Sequence, residues 1–199
     1  MATTTLFVEI LVIGAIAEIW IVLIVLAVAS PNPTTVLLLI DSVGKLSALL
    51  VFPFLALTYA LGWVVNFTAE RLFKPVFQKK FRDQVFEISG IKYYEVRGLV
   101  YQKASKDVIE DLRFDRHILR ISRSSVLNFL LIAVALSLHF YEHTSVVIVG
   151  IILSVTIAVL SLLQWVTRYK SSYSKIRDTY KVIKAEYDCD RCKSDEVKS

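Results

Sequence analysis

Four ionisable residues lie in the long apolar stretches near the start of this 199-residue chain. They are Glu9, Glu18, Asp41 and Lys45. Burying a charge in a lipid bilayer costs on the order of several kcal/mol unless the charge is paired, neutralised or hydrated. Residues of this type in such stretches therefore indicate either a buried ion pair between helices or a path for ions or protons.

The spacing of these residues predicts which of them lie together. Counted inward from the outer end of each helix, Glu18 and Lys45 fall at about the same depth, and Asp41 lies one helical turn from Lys45. We therefore expect a Glu18–Lys45–Asp41 cluster, which would act as a structural lock or as part of an ion path. The alternative is that Asp41 and Lys45 are exposed at the outer surface.

Glu9 is predicted to lie nearer the cytoplasmic end, level with Asn66 and within reach of Arg71, as a salt bridge or a snorkelling carboxylate. In a symmetric oligomer, Glu9 and Glu18 would instead form two rings of carboxylates that favour cations. Their separation along a helix is about 13 Å, with roughly 180° between them around its axis. A straight helix cannot point both at one pore, so Glu18 is the better candidate.

Two short motifs match metal or redox sites in their letters. His139, Glu142 and His143 have the H-x-x-E-H spacing of a zinc site, but the motif ends an apolar stretch and no third ligand is evident. A pH-sensing histidine pair is the other functional interpretation. We prefer a third interpretation, in which the histidines lie at the outer interface and have no specific function. Cys189 and Cys192 form a lone C-x-x-C, whereas a zinc site needs four ligands. We expect reduced thiols, no bound metal and no cofactor.

Enzymatic and nucleic-acid-binding functions have little support in the sequence. It contains no Walker loop, GxSxG, GxGxxG or HExxH motif, and its three histidines are too dispersed for a di-iron oxygenase. We therefore expect no catalytic residues and no enzyme activity. The formal net charge of +5 is explained by basic segments at an anionic lipid surface, so nucleic acid is not an expected partner.

The elements that must position these groups are apolar segments of membrane-spanning length. The chain is 55% hydrophobic, and a span needs about 20 consecutive apolar residues. The segments that qualify are 6–29, 34–67, 124–140 and 145–166. The sequence therefore predicts an all-α polytopic membrane protein, with four transmembrane helices in two hairpins and cytoplasmic extensions of the third and fourth helices.

The distribution of cations predicts the orientation of these helices. Of the 23 Lys and Arg residues, 22 lie in the segments 71–123 and 168–198, and the other is Lys45. Because cationic loops stay in the cytoplasm, both segments and both termini are predicted to be cytoplasmic. We expect an integral protein of a prokaryotic plasma membrane, with its short links at 30–33 and 141–144 outside.

These patterns divide the chain into five predicted parts. Residues 1–67 form the first transmembrane hairpin, 68–123 a cytoplasmic amphipathic and helical region, and 124–167 the second hairpin. Residues 168–187 continue the fourth helix into the cytoplasm, and 188–199 form a disordered polar tail.

Two helix boundaries in this division depend on single residues. Ser105 is a predicted N-cap, from which a helix runs unbroken into the third span. Segment 34–45 belongs either to one bent helix with a kink at Pro53, which we prefer, or to a separate re-entrant helix.

Repeating patterns in the second hairpin predict helix contacts. Gly150, Ser154 and Ala158 recur at every fourth residue, a spacing that lets two helix backbones approach closely, and Asn128 is expected to hydrogen-bond across helices. Large side chains form a heptad-like seam at spacings of three and four. The members of this seam are Trp165, Tyr169, Tyr173, Ile176, Tyr180, Ile183 and Tyr187. The seam would pack either as a coiled coil between subunits or on the chain's own helices.

Two functions fit these features. The sequence favours a homo-oligomeric ion channel that is gated through its cytoplasmic helices, with Glu18 in the ion path. The alternative is a non-conducting scaffold or regulatory subunit of a larger membrane complex. A small transporter is disfavoured because no inverted repeat is evident. The expected partners are the lipid bilayer, further copies of the chain and a cytoplasmic protein.

Overall fold

The computed structural model describes residues 2–29, 48–75, 86, 93–138 and 144–196. Over these residues the regular structure is helical throughout. The helices are α1 (Ala2–Ala29), α2 (Ala48–Phe73), α3 (Tyr93–Lys103), α4 (Lys106–Ser137) and α5 (Thr144–Glu196). Four of them, α1, α2, α4 and α5, are long and apolar enough to cross a membrane. The prediction of an all-α polytopic membrane protein is confirmed.

The first two helices follow the apolar segments predicted for the first hairpin. α1 is apolar apart from the threonines of its first turn and its two glutamates, and it ends before the prolines at 31 and 33. α2 contains Pro53 in its second turn, where the missing N–H removes one i→i−4 hydrogen bond of the helix. Segment 34–47 lies outside the described residues, and with it the choice between one bent helix and a separate re-entrant helix.

α4 begins at the residue that the sequence analysis indicated. The Ser105 hydroxyl accepts a hydrogen bond from the N–H of Val108 at 3.5 Å, and Asp107 lies in the first turn of the helix. From Lys106 the helix continues without a break to Ser137, so its polar first half and its apolar second half form one element.

α5 is 53 residues long, which corresponds to about 80 Å at helical rise and far exceeds a bilayer core of about 30 Å. It continues beyond Tyr187 to Glu196, where a disordered tail had been predicted from residue 188. The physical reason is that no Gly or Pro follows Gly150, so nothing in the backbone ends the helix. The polar composition of this segment indicates that it is not buried in a hydrophobic core. It does not prevent a helix that has already formed from continuing through the segment.

The helices are divided into two compact units. Unit 1 comprises Met1–Arg71 and Arg120–Gln164, which include α1, most of α2 and the apolar parts of α4 and α5. Unit 2 comprises Leu72–Leu119 and Trp165–Ser199, which include α3 and the polar parts of α4 and α5. The boundaries of unit 1 lie near the ends of the two predicted hairpins.

Candidate functional site

The hairpin of α1 and α2 is organised around two glycines. A Cβ atom on Gly14 would overlap the carbonyl oxygen of Thr58, and one on Gly62 would overlap the carbonyl oxygen of Ile10. The two backbones are therefore in direct contact. The helices are antiparallel, because higher residue numbers on α1 contact lower residue numbers on α2. This antiparallel contact sets which polar side chains of the two helices are neighbours. Sequence reasoning did not single out these glycines, although each interrupts an apolar span.

Glu18 lies one turn beyond Gly14 and faces α2. The hydroxyl of Thr58 lies 2.5 Å from Glu18 Oε1 and 2.9 Å from the carbonyl oxygen of Phe54, and Thr58 itself is buried. Glu18 is half-buried, so part of its surface stays open. Asp41 and Lys45, predicted to cluster with Glu18, lie outside the described residues.

Glu9 lies in a different environment, buried at the other end of the same hairpin. Only 5% of its side chain is exposed, and Arg120 Nη1 of α4 lies 3.5 Å from Glu9 Oε2. The sequence had predicted Arg71 to lie within reach of Glu9. In the structure the guanidinium of Arg71 lies over the ring of Phe67, 5.0 Å from its centre. The contribution of α4 could not be foreseen because it depends on how this helix packs against the first hairpin.

A second arginine of α4 extends this polar group. Arg123 Nη2 donates to Asn66 Oδ1 at 3.0 Å and lies 3.4 Å from Glu70 Oε2, while the Ser124 hydroxyl lies 3.5 Å from the same Asn66 oxygen. We call the whole set the polar layer. It consists of Glu9, Asn66, Glu70, Arg120, Arg123 and Ser124. Its two carboxylates and two guanidiniums balance in formal charge, so the layer is suited to holding three helices together rather than to attracting cations.

Asn128 links α4 to α1 deeper in the same unit. It is fully buried, its Nδ2 donates to the carbonyl oxygen of Ile13 at 3.0 Å, and its Oδ1 accepts from Trp20 Nε1 at 3.2 Å. In an apolar environment an amide must have such partners, because an unsatisfied group there is costly. The side chain therefore fixes the rotation of α4 relative to α1.

The repeating small residues of α5 face this chain's own helices within unit 1. A Cβ on Gly150 would lie 3.0 Å from Leu136 Cδ1 of α4, and Ser154 and Ala158 are buried. The contact predicted from this pattern is thus made inside one chain.

The heptad-like seam of α5 is also covered by its own chain. In unit 2, Tyr173 and Ile176 are buried in a core with side chains from three other segments, namely Phe86, Val96, Val100 and Leu112. Tyr169, Tyr180 and Ile183 pack at the edge of this core. The side chain of Tyr187 lies outside the described residues. Of the two alternatives for the seam, packing on the chain's own helices is the one present here.

Unit 2 also contains a charge cluster that sequence reasoning missed. Asp115 of α4 is almost fully buried, with Lys175 Nζ 2.9 Å from its Oδ2 and Arg168 Nη1 3.6 Å from its Oδ1. Lys175 also bonds Asp111 at 2.6 Å. The hydrogen bonds to Asp111 and Asp115 raise the pKa of Lys175 above 10.5, although burial opposes them. A signal for this cluster was present in the sequence. Asp111 and Asp115 are one helical turn apart on α4, and Arg168 and Lys175 are one heptad apart on α5.

No metal site is assembled in the part of the chain that the structure describes, where no three metal-binding side chains lie together. The H-x-x-E-H motif at 139–143 and the side chains of Cys189 and Cys192 lie outside the described residues. Comparison with known family models, with curated proteins and with solved structures found no match.

Proposed function

We propose that this protein is a non-conducting subunit of a larger membrane complex, which it anchors or regulates. The observation that carries the proposal is that both glutamates of the first span are engaged within the chain, Glu9 by Arg120 and Glu18 by Thr58. A cation path needs carboxylates that face the passing ion, whereas these two are held by neighbouring helices.

The other features that had favoured a homo-oligomer are also used within one chain. The small residues of α5 pack in unit 1, and the tyrosine-rich seam packs in unit 2. A chain that satisfies its own close-packing surfaces needs no second copy to complete them. The neutral polar layer supports the same conclusion, since a conducting pore for cations favours an excess of carboxylates.

The half-buried state of Glu18 explains why we propose a partner rather than an isolated protein. A carboxyl group left partly open to hydrocarbon is costly, and a polar group from a second protein would remove that cost. The same observation favours a second candidate function, the homo-oligomeric channel expected from the sequence. In that case the open side of Glu18 would line the ion path.

Flux measurements separate the two functions. Purified protein in liposomes is tested for K⁺ and proton flux with fluorescent indicators, with gramicidin as the positive control and Glu18→Gln as the variant. If the protein is a non-conducting subunit, neither the wild-type protein nor Glu18→Gln gives a flux above that of protein-free liposomes. A selective flux that Glu18→Gln reduces would establish the channel and refute our proposal.

The identity of the partner is tested by crosslinking from the open side of Glu18. Val22 lies one helical turn from Glu18 and is exposed, so a photoreactive amino acid at this position reaches whatever covers that surface. In native membranes we expect an adduct with a different protein. An adduct at twice the chain mass of 22.6 kDa would instead indicate a homo-oligomer. Position 182, exposed in unit 2, serves as the control.

A further inference from the structure

The second half of α2 carries an exposed column of two aromatic rings and one cation. The rings of Trp63 and Phe67 are stacked, with centroids 5.9 Å apart and planes 6° from parallel, and the Cζ atom of Arg71 lies 5.0 Å from the centre of the Phe67 ring. All three residues are exposed, Trp63 to 54% and Phe67 to 47%. Because successive members are four residues apart, they lie one above another along the helix. We call them the aromatic column.

The positive charge at the end of the aromatic column is not neutralised by the part of the chain that the structure describes. Arg71 contacts the ring of Phe67, which has no net charge. The neighbouring carboxylate, Glu70, lies 3.4 Å from Arg123 on α4. Over the described ranges, Arg71 forms no hydrogen bond or ion pair. Its guanidinium is therefore available to an anion from outside the chain.

Two exposed alanines continue the same helix face away from Arg71. Ala60 and Ala56 precede Trp63 by three and seven residues, and both are exposed. Together with the aromatic column they lie within about 80° around the helix axis. Because alanine has only a methyl group as its side chain, the surface is shallow beyond the ring of Trp63. The face thus has a cation at one end, flat rings next to it and a shallow apolar strip beyond them.

The length of this face matches that of one lipid molecule. Arg71 and Ala56 are fifteen residues apart, which corresponds to about 22 Å along the helix. A bilayer with its headgroups is about 40–45 Å thick, so one leaflet measures about 20–22 Å. A phosphate on Arg71 would therefore leave an acyl chain lying along the rings and the alanines.

We propose that this face of α2 binds an anionic phospholipid, with its phosphate on Arg71 and an acyl chain along the rings of the aromatic column. A guanidinium pairs with two oxygens of a phosphate. A lipid with a net negative charge supplies the complementary charge, whereas a zwitterionic lipid carries its own cation. A second protein helix is a poorer occupant, because close helix contacts in membranes need small residues and Trp63 and Phe67 would hold the two backbones apart. Lipid binding here is compatible with both functions considered above.

Quenching of tryptophan fluorescence by brominated lipids tests which lipid lies on this face. The full-length protein is reconstituted into vesicles of equal amounts of phosphatidylcholine and phosphatidylglycerol, with bromine on the acyl chains of one lipid or the other. Because the composition stays constant, a difference between the two labels reports which lipid contacts the tryptophan. The signal of Trp63 is obtained by subtracting that of the same protein carrying Trp63→Phe, since Trp20 and Trp165 also fluoresce.

The variants are chosen to separate a local site from general attraction to negative charge. In the wild-type protein we expect Trp63 to prefer phosphatidylglycerol about fivefold, the effect of one arginine at an anionic membrane surface. Arg71→Gln should remove most of this preference. Arg113→Gln is the matched control, because this exposed residue lies on α4 and its loss changes the net charge equally. Equal quenching by the two labels in the wild-type protein, or an equal loss in both variants, would overturn the proposal.

The contribution of the rings is tested with two matched substitutions in α2. Phe67→Leu removes the ring that holds the guanidinium of Arg71 and is expected to reduce the preference about twofold. Phe54 has a similar exposure of 53% but lies on the opposite face of the helix, so Phe54→Leu should leave the preference unchanged. Equal effects of the two substitutions would show that the rings take no part, contrary to the proposal.

Two further results would identify a different occupant. If neither label quenches Trp63, another copy of the chain covers this face in the vesicles. If sodium glycerol phosphate, at an ionic strength matched with sodium chloride, removes the preference for phosphatidylglycerol, Arg71 binds a soluble phosphate instead. We expect quenching by the labelled phosphatidylglycerol and no effect of glycerol phosphate, because a soluble compound lacks the acyl chain. Either of the other results would overturn the proposal.

Discussion

The backbone nitrogen of Gly14 lies 2.9 Å from where a Cβ atom on Gly62 would be. This contact between α1 and α2 decides which turn of one helix meets which turn of the other. It places Thr58 beside Glu18, and the same antiparallel register carries Asn66 towards the end of the hairpin at which Glu9 lies.

Replacing Gly62 by alanine is expected to destabilise the protein by about 1–3 kcal/mol, because the added methyl group must push the two backbones apart. The measurement is the free energy of unfolding in detergent. Gly98→Ala is the control, since nothing lies within 4 Å of a Cβ at that position. Alanine there should be neutral or stabilise α3 by about 0.5–1 kcal/mol. Equal effects of the two substitutions would contradict the close contact.

Asn128 is expected to stabilise the folded protein through its hydrogen bond to Trp20. Comparing Asn128→Ala, Trp20→Phe and the double variant isolates the free energy of that bond from the packing of each side chain. Hydrogen bonds between membrane helices average about 0.6 kcal/mol, so we expect a coupling of that size. A coupling indistinguishable from zero would mean that the indole and the amide do not meet in the folded protein.

The pair of Glu9 and Arg120 should behave as one unit. Removing one charge leaves the other in a mostly buried position, so Glu9→Gln or Arg120→Gln alone is expected to cost about 1–3 kcal/mol. The double variant should cost less than the sum of the two, because it also removes the buried charge that each single variant leaves behind. Strict additivity in chemical unfolding experiments would argue against the pair.

The two aspartates of the unit 2 cluster should differ in their effect on stability. Asp115 is buried between Lys175 and Arg168, whereas Asp111 is more than half exposed. We therefore expect Asp115→Asn to cost about 2–3 kcal/mol and Asp111→Asn less than about 1 kcal/mol. Thermal unfolding of both variants checks this order, and a larger loss for Asp111→Asn would exclude the buried pair as the main contact.

The same cluster predicts a dependence of stability on pH in the alkaline range. Because the pKa of Lys175 is raised above 10.5 in the folded protein, its contribution is complete below pH 10.5 and is lost as the pH rises through the raised value. Wild-type protein should therefore lose stability above pH 10.5 more steeply than Lys175→Met does. Parallel pH profiles of the two proteins would show that this lysine makes no such contribution.

Much of the architecture could be predicted from local properties of the chain. The four apolar helices follow from hydrophobic length, because a bilayer core sets a minimum span. The start of α4 follows from Ser105, whose short polar side chain satisfies the N–H of Val108. The tail beyond Tyr187 was predicted from its polar composition, which reports on burial. Because no Gly or Pro follows Gly150, α5 continues past Tyr187 to Glu196.

The sequence alone thus determined the helical class, the apolar segments and the polar residues that need partners. The identity of each partner was decided only by the tertiary structure. Arg120 beside Glu9, Thr58 beside Glu18, and Arg97 with Arg116 on one tyrosine ring all join different helices. Hydrophobic length and capping act within a single helix. These pairings depend instead on how helices rotate and cross, which arises from close packing such as that of Gly14 against Gly62.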